Sequence, residues 1–194
     1  KTFQYYFEWM TPAQTNLNKK QALKYIIQVL ESGHNKKLKD QLVNWVGDKQ
    51  EKFDLLFSIL FTQEYRIVQR AAWPISYIIE NHPGLIKKHM SAVTRALADK
   101  NLQDAVKRNL LRSLQHLIIP KKYTGMIADI CFNYISDPEE KAAVKVFSIS
   151  ILEKIVHSFP ELKTELNLIL ETAYEHESPA FRSRARKILK QKTS

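Results

Sequence analysis

Ile67-Val68-Gln69-Arg70-Ala71-Ala72-Trp73-Pro74-Ile75-Ser76-Tyr77-Ile78-Ile79-Glu80-Asn81-His82-Pro83 is the stretch that decides the fold. Its apolar side chains recur at helical spacing, and Asn81-His82-Pro83 closes the segment. The stretch also returns along the chain. Two sets of positions show the period: Val68, Val106 and Val144 are 38 residues apart, and so are Ile79, Leu117 and Ile155. A fourth copy follows after 37 residues, with Phe181 at the valine position. Self-similarity at this period predicts a helical repeat array.

The segments between these copies repeat with the same period. Their apolar columns are Leu55, Val93, Cys131 and Ile169, and Ile59, Leu97, Ile135 and Ala173. Each repeat therefore has a first helix, A, and a second helix, B, and Pro83, Pro120 and Pro160 end successive B helices. One helix pair cannot bury its apolar stripe alone, so stacked neighbours supply the core.

We expect an all-α protein, a right-handed α-α superhelix of about five helix pairs, in a single domain over residues 1–194. Residues 1–48 would form N-terminal capping helices and residues 49–191 the regular repeats. In the first 18 residues the aromatic run from Phe3 to Met10 would form a short capping helix, followed by a loop. The other predicted helices span about 19–31, 36–46, 50–61, 67–83, 84–98, 102–118, 122–136, 160–175 and 179–191, with one more from residue 138 to the turn at Pro160.

Two helix starts carry specific signals in the sequence. Asp137 is predicted as an N-cap, with Pro138 in the first turn and two glutamates against the helix dipole. Ser178-Pro179 predicts the start of the last helix. Gly33 and Gly47 are predicted to end the first two helices.

The composition limits the classes of protein. The formal net charge is +10 and the pI about 9.6, which favours acidic partners such as nucleic acid or an acidic protein surface, or indicates only a solvated lysine-rich exterior. The single cysteine, Cys131, excludes an intrachain disulfide framework. Because no apolar run approaches a membrane span and no secretory segment is recognised, we expect a cytoplasmic protein without membrane contact.

The B-helix starts resemble HEAT repeats, which are antiparallel helix pairs with a Val-x-Arg-x-Ala pattern opening helix B. The matching residues are Val68-Gln69-Arg70-Ala71-Ala72, Val106-Lys107-Arg108, Val144-Lys145 and, in degenerate form, Arg182-Ser183-Arg184-Ala185. The resemblance covers residues 49–191. It departs from the family at Pro74, which lies in helix B rather than helix A, and a kink is expected there.

The chain also resembles small bacterial HEAT-like proteins that often carry the label adenylosuccinate lyase. The residues do not support that label. The lyase family has a Ser-Ser-x-Met-Pro loop, and none of Met10, Met90 and Met126 is followed by proline.

Other reactive residues fit structural roles. Cys131 shares a column with Leu55, Val93 and Ile169, which predicts a core residue rather than a nucleophile. His82 and His157 lie near B-helix ends, where they would meet the negative end of the dipole. Glu175-His176-Glu177 fits a solvated helix end better than a metal site. We therefore predict no metal, no cofactor and no catalytic residue, and an enzyme is the less favoured class.

Basic residues form a ladder across the B helices. One position after the valine column the residues are Gln69, Lys107, Lys145 and Arg182, and the next column begins with Arg70 and Arg108. Arg66 and Arg112 add to it. The resemblance implies that B helices line the concave face of the array. The ladder would either follow a phosphate backbone or pair with acids at the adjoining turns, and both alternatives stay open.

Trp73 and Tyr77 lie beside this ladder, and Asp104 lies in the next repeat. Some HEAT-like proteins are DNA glycosylases that cradle an alkylated base with tryptophans and an aspartate. The alternative for Trp73 is core packing, because it shares a column with Leu111 and Ile149. The sequence therefore predicts a non-enzymatic scaffold that binds a protein partner on its concave face. The alternative is a nucleic-acid backbone binder, in one form an alkyl-base glycosylase.

Overall fold

The fold is an all-α solenoid of five helix pairs in a computed structural model that describes residues 17–62 and 64–190. The first three pairs are α1 (Leu17–Glu31) with α2 (Lys36–Val46), α3 (Gln50–Ser58) with α4 (Tyr65–Asn81), and α5 (Met90–Ala98) with α6 (Asp104–Leu114). The last two are α7 (Lys121–Ser136) with α8 (Ala142–Ser158), and α9 (Lys163–Ala173) with α10 (Pro179–Leu189). Short 3-10 turns follow α3 and α9 and precede α5 and α9. The predicted all-α solenoid is confirmed.

The helices form two layers, one of A helices and one of B helices. Each B helix packs against the B helix of the next pair, in the order α2, α4, α6, α8, α10. Neighbouring A helices contact one another less extensively. Because the more closely packed layer of a curved array lies on the inside of the curve, we expect the B helices to form its inner face.

The core is built from the repeated columns. The valine position is buried in all four copies, from Val68 to Phe181, and Cys131 is fully buried among aliphatic side chains. Each such aliphatic side chain contributes about 1.5–3 kcal/mol when it leaves water. In the last pair, Ile169 and Ala173 are only partly buried, whereas their counterparts in the preceding pairs are buried.

Several predicted helix ends are confirmed by hydrogen bonds. The Ser178 side chain accepts a hydrogen bond of 3.2 Å from the backbone N–H of Phe181, as an N-cap does. Gly47 has a φ of 54° and its N–H donates to the carbonyl of Val43, which closes α2. Asn35 caps the start of α2 in the same manner as Ser178, a cap that the sequence reasoning did not identify.

The predicted start of α8 at Asp137 is wrong. The Asp137 carboxylate accepts from the N–H of Glu139 at 2.9 Å and the Glu140 carboxylate from the N–H of Lys141 at 2.8 Å, so these acids stabilise a turn ahead of the helix. Helix α8 starts at Ala142, 38 residues after the first residue of α6. The repeat period was thus a better guide than the local cap signal.

Three other boundaries differ from the prediction. Helix α6 ends at Leu114, four residues early, and Leu117 reaches its buried column from a turn. Helix α1 begins at Leu17 rather than near residue 19. Helix α4 continues through Pro74 to Asn81, and the kink stays a prediction. The aromatic cap predicted in the first 18 residues lies outside the described side chains. In the described part of the chain, no helix is both long and apolar enough to cross a bilayer.

Candidate binding surface

Two ladder lysines are buried and paired with glutamates. Lys107 donates from Nζ to Oε2 of Glu140 at 2.7 Å, and the two side chains are only 11% and 6% exposed. Lys145 pairs with Glu177, at 3% and 15% exposure. Each glutamate immediately precedes the N-cap residue of the next B helix. These lysines therefore join each repeat to the one that follows.

The first and last copies of this column differ in an informative way. In the first copy the cation is replaced by the exposed Gln69, and the position ahead of the next N-cap is Leu102, so cation and acid are absent together. In the last copy Arg182 is half-buried on α10 and has no ion-pair partner among residues 17–62 and 64–190.

Two ladder arginines point back toward the preceding repeat. Arg112 donates from its guanidinium to Ser76 Oγ and to Glu80 Oε2, both at 2.9 Å. Arg70 donates from Nη1 to the carbonyl oxygens of Leu30 and Glu31, at 2.6 and 3.0 Å, and so closes the C-terminal end of α1. For Lys107, Lys145 and Arg112 the structure favours the alternative that ladder cations pair with local acids.

Trp73 and Tyr77 form an aromatic cluster on α4 that faces cations from both neighbouring B helices. The Tyr77 ring lies 3.9 Å from Nζ of Lys39 on α2 and 4.2 Å from the guanidinium carbon of Arg112 on α6. The Trp73 and Tyr77 rings meet edge to face at 6.5 Å, and the His34 ring lies 5.0 Å from Trp73. Sequence reasoning missed Lys39 because α2 lies outside the regular columns.

Trp73 is partly exposed, whereas its repeat counterparts are fully buried. Leu111 and Ile149, in the same column, are both 0% exposed, whereas Trp73 is only half-buried. A large apolar residue at the surface in a position that is otherwise core marks this copy as different from the others. Tyr77 is half-buried beside it.

The remaining predicted residues of the patch are exposed. Arg66 and Gln69 are the second and fifth residues of α4, and Arg108 is the fifth residue of α6. Neither arginine has an ion-pair partner within the described part of the chain. The structure thus brings Arg66, Gln69, Trp73 and Arg108 to one side of the B-helix layer, and we call these four residues the inner patch.

A narrow cleft beside Trp73 is too small for a nucleobase. It has a volume of about 10 Å³ and is lined by Arg70, Trp73, Pro74 and residues of α1 and α2. That volume holds about one water molecule. Asp104, the other residue named for base recognition, is exposed at the first position of α6.

The buried thiol and phenol have environments that oppose their charged forms. Burial raises the pKa of the Cys131 thiol to about 12, and the neighbouring Ser148 side chain opposes this only partly. Burial also raises the pKa of Tyr134, with a contribution from the nearby carboxylate of Glu140, and its hydroxyl donates to the carbonyl of Leu97. Both residues therefore fit structural roles.

A polar cluster between α3 and α5 was not predicted. Asp54 accepts from Gln50 at 2.9 Å, contacts Nε2 of His89 at 2.7 Å and pairs with Lys88 at 2.5 Å. Burial would raise the pKa of Asp54, but hydrogen bonds from His89, Lys88 and Gln50 outweigh it and hold that pKa below its usual value. Asp54 thereby joins its repeat to the next in the A layer. It is the one polar residue in a column that continues with Ala92, Ile130 and Leu168, and that column did not identify its partners.

Within residues 17–62 and 64–190, no group of three or more histidine, cysteine, aspartate or glutamate side chains is placed to hold a metal ion. Glu177, from the Glu175-His176-Glu177 run, is engaged by Lys145.

Comparisons with known proteins agree with the geometry. A family model described as a HEAT repeat domain matches residues 26–192, which is most of the chain. The match begins at residue 26, inside α1, and so covers the end of α1 and all of α2, the pair that the sequence predicts as the N-terminal cap. The division of the chain at residue 48 stays a prediction. Searches of curated proteins and of solved structures gave no match. From the repeated columns, the two-layer solenoid and this match, the chain belongs to the HEAT-repeat family.

Proposed function

We propose that the protein is a binding scaffold whose protein partner lies across the inner patch on α4 and α6. The observation that carries this proposal is that Trp73 is partly exposed in a column where Leu111 and Ile149 are fully buried. HEAT repeats commonly serve as protein-interaction scaffolds. Tryptophan and tyrosine also dominate the binding energy of many protein interfaces.

The cluster around Trp73 is held in place before a partner arrives. Tyr77 lies between Lys39 and Arg112, and Arg112 is fixed in turn by Ser76 and Glu80. A preorganised aromatic surface loses little side-chain freedom on binding, which favours affinity.

The charges of the inner patch indicate the chemistry of the partner. Arg66 and Arg108 are exposed cations beside the aromatic cluster. A partner segment with an apolar side chain for Trp73 and carboxylates for these two arginines would match the patch. Exposed charges of this kind contribute more to the association rate and to specificity than to affinity.

A phosphate backbone is the second candidate, and the ion pairs count against it. Lys107, Lys145 and Arg112 already have acid partners, and a phosphate would have to compete with those carboxylates. Among the described residues, the ladder cations without an ion-pair or carbonyl partner are Arg66, Arg108 and Arg182, since Arg70 is held by the carbonyl oxygens of Leu30 and Glu31. Three phosphate contacts would give a salt slope of only about −2.7 in log affinity against log salt.

Site-specific photo-crosslinking tests the protein-binding proposal. A photoreactive residue replaces Gln69, at the centre of the inner patch, or Met126, which is 53% exposed on α7 in the A layer. In the native host, position 69 should give a discrete protein adduct that position 126 does not give. Trp73→Ala should reduce the adduct from position 69. Equal adducts from both positions, or an adduct unaffected by Trp73→Ala, would count against this location.

A further inference from the structure

The outward face of α9 and α10, the last described helix pair, has charged and apolar side chains whose expected partners are not among the described residues. Three columns show this: those of Arg182, Leu168 and Leu189. In each column, two of the equivalent residues of preceding pairs are paired or buried against the rest of the array.

Arg182 continues the column of Lys107 and Lys145. Both lysines pair with a glutamate of the following repeat, and where that acid is absent, at Leu102, the column carries Gln69 instead of a cation. Within this chain a cation in the column therefore goes with an acid in the next unit. Arg182 has no such partner among residues 17–62 and 64–190.

Leu168 lies on the side of α9 that would face a following A helix. Its counterpart Asp54 shows the direction of the column, because Asp54 binds Lys88 and His89 of the following repeat. Ile130, in the preceding copy, is 8% exposed, whereas Leu168 is 63% exposed. Leu168 is therefore a large apolar side chain that no described residue covers.

Leu189 on α10 gives the same indication. Its counterparts Leu114 and Leu152 are 1% and 0% exposed, whereas Leu189 is only partly buried. Leu189 and Arg186 line an open groove together with Tyr174 and Glu175, so both helices contribute to a single face. Arg186 donates from Nε to the Tyr174 hydroxyl at 3.0 Å across that groove.

The charges on this face are separated between the two helices. On the α9 side, Glu165 and Leu168 are one turn apart on the helix, Glu175 lies in the 3-10 turn that follows it, and all three are exposed. On the α10 side, Arg182, Arg186 and Leu189 follow one another at helical spacing; Arg186 is exposed, and Arg182 and Leu189 are partly exposed. One half of the face is therefore acidic, the other half is basic, and both halves contain a leucine.

Such a face is complementary to a second copy of itself. We propose that the α9–α10 face forms a two-fold symmetric dimer in which α9 of each copy packs on α10 of the other. A two-fold axis in the face and parallel to the helices places acid against base, whereas an axis across the helices would place acid against acid.

The same symmetry predicts which residues meet. An axis parallel to the helices keeps the ends of the two helix pairs level. Glu175 lies in the turn just before α10, at the same end as the first turn of α10, which contains Arg182. Glu175 of one copy therefore lies opposite Arg182 of the other. Leu168 and Leu189 are then covered by apolar neighbours. The partner copy thus supplies the acid that Arg182 lacks.

Sedimentation equilibrium of the full chain, over a range of concentrations at low salt, tests this dimer. The expected mass at high concentration is twice the 22.7 kDa of one chain. Leu168→Glu should leave a monomer. Arg182→Glu and Glu175→Lys should each raise the dimer dissociation constant at least about tenfold, because each places two like-charge contacts in the symmetric dimer.

Mixing the two charge variants is the sharpest test. In a mixed dimer of Arg182→Glu with Glu175→Lys, both contacts again join opposite charges. The mixture should therefore dimerise at a concentration at which each variant alone is monomeric. Arg108→Glu makes the same change of charge on the inner patch and should leave the dissociation constant unchanged. Circular dichroism should show that all variants keep the helical fold.

The proposal is overturned if the wild-type chain is monomeric at every concentration, if the dimer survives Leu168→Glu, or if the mixture stays monomeric. It does not depend on the inner patch. Loss of the crosslink at position 69 with an intact dimer would sink only the proposed function, and the reverse result would sink only the dimer.

Discussion

Lys145→Met removes the more deeply buried of the two lysines that pair with a glutamate of the following repeat. Lys145 is 3% exposed and Glu177 15%, so the substitution leaves a carboxylate largely out of water without its partner. Breaking a buried pair on one side costs about 3–5 kcal/mol. Because Glu177 keeps some exposure and lies beside the positive N-terminal end of α10, we expect about 3 kcal/mol, a fall of roughly 6–12 °C in Tm.

Lys141→Met is the matched control, since Lys141 is an exposed lysine one turn before Lys145. It should change stability by less than about 0.5 kcal/mol. The double variant Lys145→Met with Glu177→Gln should recover part of the loss, because it removes the unpaired charge. The double-mutant cycle then isolates the energy of the pair.

Denaturant unfolding followed by circular dichroism measures these differences, and coincident fluorescence curves check that unfolding is two-state. Amide hydrogen exchange gives a second readout. In an array where each pair contacts only its neighbours, loss of the Lys145 contact should speed exchange in α9 and α10 before it affects α3 and α4. A Lys145→Met variant that is no less stable than Lys141→Met would show that the Lys145–Glu177 pair does not stabilise the fold.

Three further predictions concern single sites. Ser178→Ala should cost about 1 kcal/mol of unfolding free energy through loss of the N-cap of α10, and an unchanged denaturation midpoint would contradict the cap. Because the pKa of Asp54 is lowered in the folded state, its stabilisation should be present above its unfolded pKa of about 3.9 and be lost as the pH falls through its lower folded value. The Tm difference between wild type and Asp54→Asn should accordingly shrink in that acid window, and a difference that grows there would refute the assignment. The Cys131 thiol, buried and with its pKa raised to about 12, should react with a thiol reagent at mildly alkaline pH only after denaturant is added; rapid reaction of the native protein would contradict its burial.

The repeat columns predicted the fold because they report a physical requirement. A residue such as Val68 or Val106 must be apolar in every copy if the stacked pairs are to share a core. Local signals were less reliable. The Asp137 cap signal was outweighed because the buried position of Val144 fixed where α8 could begin, and the acids ahead of it were used in a turn.

The basic ladder was predicted as a set of positions, but its role could not be derived from the sequence. Lys107 and Arg108 are adjacent in the chain, yet one is buried against Glu140 and the other is exposed. That difference depends on whether each side chain points toward the following repeat. Predicting the direction requires the position of the turn that contains Glu140, and the sequence had predicted that turn as part of α8.

The polar cluster at Asp54 was missed for a related reason. Its partners Lys88 and His89 come from a 3-10 turn that the sequence reasoning had included in a regular helix. An aspartate in a column otherwise filled by apolar residues was the signal available. It indicated a polar contact between repeats without identifying the partner.

If the buried ladder cations hold the repeats together, only the exposed ladder cations are left to bind a phosphate backbone. Titration of duplex DNA at several salt concentrations separates the two roles. We expect absent or weak binding, with a slope of log affinity against log salt no steeper than about −2.7, which Arg108→Glu weakens and Lys145→Met does not. Tight binding with a slope of about −5 or steeper, abolished by Lys107→Met or Lys145→Met in a folded protein, would contradict it.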